Sequence, residues 1–191
     1  NQFISNLNEK LALVKTQRES LNKSNRLFVK GVMEMDKDKH FAPNANLTIR
    51  YTYGRVRPYE PKDGISYKYI TTLDGVMAKE DNSSWEFTVP SKLRLLYETK
   101  DYGQYEENGT VPVAFIADLD ITGGNSGSPT INAKGELVGI AFDGNWESMS
   151  SDIIFEPDLQ RCINVDARYV LFIIDKFGGA GYLLDEMEIV R

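Results

Sequence analysis

Apolar residues recur at helical spacing in the first forty positions and at strand spacing over most of the remainder. Ile4, Leu7, Leu11 and Val14 fall on one helix face, and a second cluster, Leu27, Phe28, Val29, Val32 and Met33, continues the pattern. Pro43-Asn44-Ala45-Asn46 breaks it. Leu47, Ile49, Tyr51 and Tyr53 then alternate with Thr48, Arg50 and Thr52, which predicts a half-buried strand. Residues 57–65 read as loop, with Pro58, Pro61 and Gly64. Ser66–Thr72 reads as a further strand, and 73–80 has no decisive pattern. Pro90-Ser91 marks a helix start before Leu93, Leu95 and Leu96. Val111–Ala117 is an apolar strand with Pro112 at its start or on an edge. Thr130-Ile131-Asn132 turns through Ala133-Lys134-Gly135 into Leu137–Phe142, a hairpin. Cys162–Val165 is a short strand, Asp166 can cap a helix holding Tyr169, Val170 and Phe172, and Gly178 closes that helix.

The switch of period divides the chain into a helical part, residues 1–42, and a mainly β part, residues 43–191. A length of 191 residues suits one domain with an appendage. The helical faces exceed what a small barrel needs to cover. The segment is therefore expected to be the end of a helical region whose remainder lies upstream, and the first residue, Asn1, suits a processed or excised piece.

Composition narrows the function classes. The net charge of −6 argues against a nucleic-acid partner, and no apolar run reaches the length of a membrane span. Charge is uneven: residues 1–40 hold 8 basic and 5 acidic side chains, whereas residues 112–191 hold 5 basic and 13 acidic ones. Such an acidic face can attract a cationic substrate terminus, although a solvated surface is the commoner explanation. Cys162 permits no internal disulfide and reads as a small core residue. With one His and one Cys, neither a metal site nor a cofactor is expected.

The chemistry-bearing stretch is Gly123-Gly124-Asn125-Ser126-Gly127-Ser128-Pro129, set between apolar strands. It reads as the nucleophile loop of a serine peptidase with a chymotrypsin-like double barrel, against the plainer reading of a polar, glycine-rich hairpin loop. In that plan the developing oxyanion is met by the N–H of the serine and of the glycine two residues before it, here Ser126 and Gly124. A strand follows Ser126, so this is not the strand–turn–helix elbow of the α/β-hydrolases. A serine needs a base, and the chain has one histidine, His40, in Lys39-His40-Phe41-Ala42-Pro43 at the end of the helical region. That placement suits a solvent-facing or packing histidine.

Several motifs in order carry a family resemblance: Asn44–Arg50, Gly75–Asp81, Asp120–Pro129, Phe142–Glu147 and Val165–Phe172. With them the chain, from about Phe41 to about Leu184, resembles the C-terminal part of the bacterial dipeptidyl aminopeptidases of the dipeptidyl-peptidase 7 and 11 type. The resemblance implies the second barrel of a two-barrel catalytic domain, with an N-terminal helical segment and a C-terminal helix. It implies dipeptide release from free N-termini, with the histidine and aspartate of the triad in an upstream part of the same polypeptide. This chain alone is then expected to be inactive. Asp143 matches the acidic residue that holds the substrate's α-ammonium group. Read without the family, Asp143-Gly144 is a hairpin turn. Gly144 matches the position where arginine accompanies acidic side chains before the cleaved bond, and glycine implies an apolar preference. The resemblance also implies peptide substrates, a periplasmic or cell-surface location, and leaves a homodimer open.

Two other readings compete. A glutamyl-endopeptidase-like enzyme also uses a GNSGSP loop, with a different pocket and no N-terminal anchor. A non-catalytic peptide-binding module would keep the loop as scaffold. The triplets at Asn46, Asn82 and Asn108 match the N-glycosylation pattern and read as surface turns.

Overall fold

The structure is a computed structural model that describes residues 2–38 and 49–190. The chain divides into two units, Asn1–Arg50 and Tyr51–Arg191. The predicted boundary near residue 42, His40 and the glycosylation-like Asn46 all lie outside the described residues.

In the first unit a single helix, α1 (Gln2–Met35), joins both apolar clusters. Among the described residues its apolar side chains Leu11, Leu27 and Phe28 are all exposed.

The second unit holds seven strands. A two-stranded ribbon pairs β1 (Tyr59–Lys62) with β2 (Ile65–Tyr67). The main sheet comprises β3 (Ile70–Thr72), β4 (Pro112–Ala117), β5 (Pro129–Ile131), β6 (Leu137–Gly144) and β7 (Cys162–Asp166). Its order is β3-β4-β7-β6-β5, antiparallel throughout. Among the described residues β3 and β5 remain free edges, so the sheet is open, and the closed barrel of the sequence reading is not observed.

One predicted strand is absent. Residues 49–55 form no strand, and Ile49, Tyr51 and Tyr53 are exposed. Alternation alone does not make a strand. Only Val56 makes a bridge, to Ala117, and beside it the Arg55 N–H donates to the Asp118 carboxylate. The predicted strand at 66–72 is divided between β2 and β3.

Helices pack at the β3–β4 end of the sheet. The undecided stretch after Thr72 forms α2 (Leu73–Ala78). α3 (Ser91–Glu98) starts after Pro90, as predicted, and buries Leu93 and Leu96 one turn apart. α4 (Ala167–Phe172) is capped by Asp166, whose carboxylate accepts from the Arg168 N–H at 2.9 Å. It continues as a π-helical turn over Ile173–Phe177, closed at Gly178. Phe172 is fully buried and lies edge-on to Tyr102 and Tyr105, with centroids 6.3 and 6.1 Å apart. With Leu73, Leu93, Leu96 and Val111 they form the apolar core. The turns at Asn82 and Asn108 are exposed, as expected.

Candidate active site

The serine loop connects β4 to β5 and is shaped by Asn125. The Asn125 side chain accepts from the Thr122 N–H (3.1 Å), its own N–H donates to Thr122 O (3.1 Å), and its carbonyl accepts from Ser128 N–H (2.9 Å). Gly127 N–H donates to Ala141 O (2.7 Å) and Ala141 N–H to Ser128 O (2.9 Å), which sews the loop onto β6. Gly124 has φ +103° and Gly127 φ +86°, backbone that side chains resist. A β-carbon at either would meet nothing within 4 Å. Conformation, not crowding, therefore requires these two glycines.

Three N–H groups of the run, those of Gly123, Gly124 and Ser126, find no acceptor among the described residues. The N–H groups of Asn125, Gly127 and Ser128 are all taken. Gly124 and Ser126 are both exposed. The Ser126 hydroxyl donates only to Phe142 O, at 3.4 Å.

β6 supplies the facing wall. Ala141 pairs with Asn164 and Asp143 with Ile163, so Phe142 is an extra residue, a β-bulge. Gly139 and Ala141 are buried, and strict alternation would carry Asp143 to the same buried face. The bulge shifts the phase, and Phe142 and Asp143 are both exposed. Asp143 and Gly144 belong to the strand, paired with Ile163 and Cys162. The hairpin-turn reading of Asp143-Gly144 is therefore corrected. The Asp143 carboxylate accepts from the Gly144 N–H at 2.8 Å.

The strand leads into a polar hub. Asn145, buried, donates to Glu147 Oε2 and Leu159 O, both at 2.8 Å. Its side-chain oxygen accepts from Ser148 Oγ (2.6 Å) and from the Arg161 N–H (2.8 Å). Arg161 is only 2% exposed and donates to the carbonyls of Pro157, Gln160, Pro58 and Asp158 at 2.7–3.2 Å. Its guanidinium also lies 5.4 Å from the Tyr59 ring centroid. Burial pushes its pKa down from the ordinary value.

Ser126, Asp143 and Gly144 line one cleft of about 230 Å³. Gly123 and Asn125 line it as well, and Gly124 between them does not. Sequence reasoning missed part of the wall, namely Ser148, Met149 and Asp152. Asp152 accepts from the Thr122 hydroxyl at 2.8 Å and ties that wall to the serine loop. Asn145 lay inside a matching motif, but no spacing rule marks Ser148 or Asp152. Asp143 and Asp152 are the charged residues of the lining, and no Lys or Arg joins them among the described residues. Cys162, next to Gly144 in the ladder, is fully buried and free, and burial pushes its thiol up to about 11. It is inert packing, as predicted.

A site with an exposed serine hydroxyl, unclaimed N–H groups beside it and an exposed carboxylate can hold a peptide end and attack its carbonyl, given a base. Comparison with known proteins agrees in class. The family model described as Peptidase S46 matches residues 3–189. A protein of Phocaeicola vulgatus named dipeptidyl-peptidase 7 is 60% identical over 167 residues, which cover 87% of this chain and 23% of that protein. An Asp/Glu-specific dipeptidyl-peptidase of Porphyromonas gingivalis is 54% identical over 169 residues, covering 88% of this chain and 24% of that protein. The crystal structure of Porphyromonas endodontalis DPP11 in complex with the dipeptide Arg-Glu matches with TM-score 0.78 and 50% identity. That match covers 83% of this chain and 23% of that one. The chain thus spans about a quarter of the length of the curated relatives it matches.

Proposed function

This chain belongs to the peptidase S46 family, and on that premise we propose that it carries the nucleophile and the substrate anchor of a serine exopeptidase that releases dipeptides from free N-termini. The observation that carries the reading is the cleft itself. Ser126 lies on one side of it, and Asp143 follows directly on the residue whose carbonyl accepts from Ser126.

Ser126 Oγ attacks the carbonyl of the second residue, and the N–H groups of Gly124 and Ser126 receive the oxyanion. Asp143 holds the α-ammonium through a charge-assisted hydrogen bond. Two extended residues span about 7 Å, so an anchor in the same cleft as the nucleophile limits how many residues fit between them. The base and its orienting carboxylate come from the rest of the polypeptide, because the family resemblance puts both in an upstream part and this chain has one histidine, His40.

Gly144 and the absence of a lining cation favour an apolar residue before the cleaved bond. Asp143 and Asp152 repel an acidic one. Both kinds of named relative share about half or more of the residues, so identity does not separate the two preferences, and the lining supports the apolar one. The reading further takes the open sheet as part of the second barrel of a chymotrypsin-like double barrel and residues 1–42 as the end of a helical domain. A periplasmic or cell-surface location and room for a homodimer follow from the family resemblance alone.

Treating the full-length protein with a fluorophosphonate and mapping the adduct by mass spectrometry tests the assignment. Label on Ser126, lost in Ser126→Ala together with dipeptide release from unblocked peptides, is the expected result. Label elsewhere, or dipeptide release surviving Ser126→Ala, contradicts it.

A further inference from the structure

Gly144 is a glycine for a different reason from the glycines of the serine loop. Its φ lies outside the left-handed region, so its backbone would accept a side chain. Its surroundings would not. A β-carbon at 144 would lie 2.9 Å from Ser148 Cβ, 3.3 Å from Ser148 Oγ and 3.8 Å from Arg161 O. The nearest of these atoms is a β-carbon carried directly on backbone, not the end of a flexible chain, so it yields only if the backbone yields.

Ser148 is held by Asn145 and Arg161. Ser148 N–H donates to Asn145 O at 2.9 Å. Ser148 Oγ donates to Asn145 Oδ1 at 2.6 Å. Arg161 N–H donates to Ser148 Oγ at 3.2 Å, and Asn145 N–H donates to Arg161 O at 2.9 Å. Arg161 in turn is buried on four carbonyls. Gly144 and Ser148 both line the cleft. Whatever space position 144 leaves is therefore set by position 148.

We propose that Ser148 is a specificity-determining residue: clamped by Asn145 and Arg161, its β-carbon limits position 144 to glycine and so fixes the cleft wall against which the residue before the cleaved bond rests. The proposal rests on the exopeptidase reading only for the identity of that substrate residue. The steric coupling between 144 and 148 stands apart from it. A substitution at 144 that enlarges the side chain has to be accompanied by loss of the β-carbon at 148 if the wall is to keep its place.

The test is a set of variants in the full-length protein: Gly144→Ala, Ser148→Gly, Ser148→Ala and the two doubles with Gly144→Ala. KM and kcat are measured on an unblocked dipeptidyl substrate with leucine before the cleaved bond, and thermal midpoints are recorded. Overpacking makes Gly144→Ala raise KM by about tenfold, with a smaller change in kcat. In the Ser148→Gly background, the same substitution changes KM by no more than about threefold. In the Ser148→Ala background, which keeps the β-carbon and removes the hydroxyl, the loss stays undiminished. The thermal midpoints follow the same order, so the coupling is readable without turnover. Equal losses in the Ser148 and Ser148→Gly backgrounds, rescue by Ser148→Ala as large as by Ser148→Gly, or no loss in Gly144→Ala would each overturn the proposal. Equal cleavage of free and N-acetylated substrates would instead remove the exopeptidase reading and leave the coupling measurable.

Discussion

The unit from Tyr51 onward is stabilised in two different ways at its two ends. Around Phe172 the contacts are apolar: Leu73, Val111 and the aromatic pairs with Tyr102 and Tyr105. Around Asn145 they are polar: an asparagine, a serine and a buried arginine joined by hydrogen bonds of 2.6–3.2 Å. The apolar end tolerates reshaping at constant volume, because burial is non-directional. The polar end does not, because its hydrogen bonds are directional and removing one partner leaves the other buried and unpaired, which is expensive. The candidate active site stands on the polar end. A cleft that measures a peptide needs fixed atoms more than it needs buried area.

Substitutions separate the two ends, and the largest effect belongs to the apolar one. Phe172→Ala removes a fully buried ring and lowers unfolding free energy by about 3–5 kcal/mol, read by urea unfolding, while KM of the molecules that remain folded is unchanged. A change in KM there would erase the contrast. Arg161→Met keeps much of the volume and leaves the carbonyls of Pro58, Asp158 and Gln160 without their donor. It lowers stability by about 2–3 kcal/mol and, unlike Phe172→Ala, raises KM several-fold.

Alkaline pH gives a smaller effect spread over both ends. Burial raises the Cys162 thiol to about 11, and Tyr102, Tyr105 and Tyr169 are also raised by burial. Each group binds its proton more tightly when folded. The stabilisation is therefore complete below the unfolded-state pKa and is lost as pH rises through the folded one. For the thiol the window runs from about 9 to about 11. Unfolding free energy falls there by up to about 1.4 kcal/mol per pH unit for each such proton. Cys162→Ala flattens part of that slope; an unchanged slope would contradict the assignment. The smallest effect is Asp166→Asn, which retains a cap oxygen for the Arg168 N–H but removes the ion pair with Arg168 at 2.7 Å. A loss of about 1 kcal/mol is expected, with KM unaffected.

The same contrast explains what the sequence discloses. Helices α1, α3 and α4, strand β4 and the β5–β6 hairpin follow apolar spacing and caps such as Asp166, and they are legible. Tyr51 and Tyr53 mislead, because their alternation predicts a strand and both stay exposed outside any sheet. The serine loop is legible because its glycines and serine are local in sequence. The exposure of Asp143 is not, since it depends on a bulge at Phe142 that only the pairing with Ile163 and Asn164 reveals. Ser148 and Arg161 are silent for the same reason: what they do is set by each other and by Asn145, residues brought together by the fold and not by period.

The central claim is that Asp143 anchors a free N-terminus at a fixed distance from Ser126. Its most direct test is the ratio of kcat/KM for an unblocked dipeptidyl substrate to that for its N-acetylated form, measured in the full-length protein and in Asp143→Asn. The account predicts a ratio of about 100 or more in the parent, from loss of one charge-assisted hydrogen bond and an unpaired carboxylate, collapsing towards unity in Asp143→Asn. Equal cleavage of the two forms by the parent protein would contradict it.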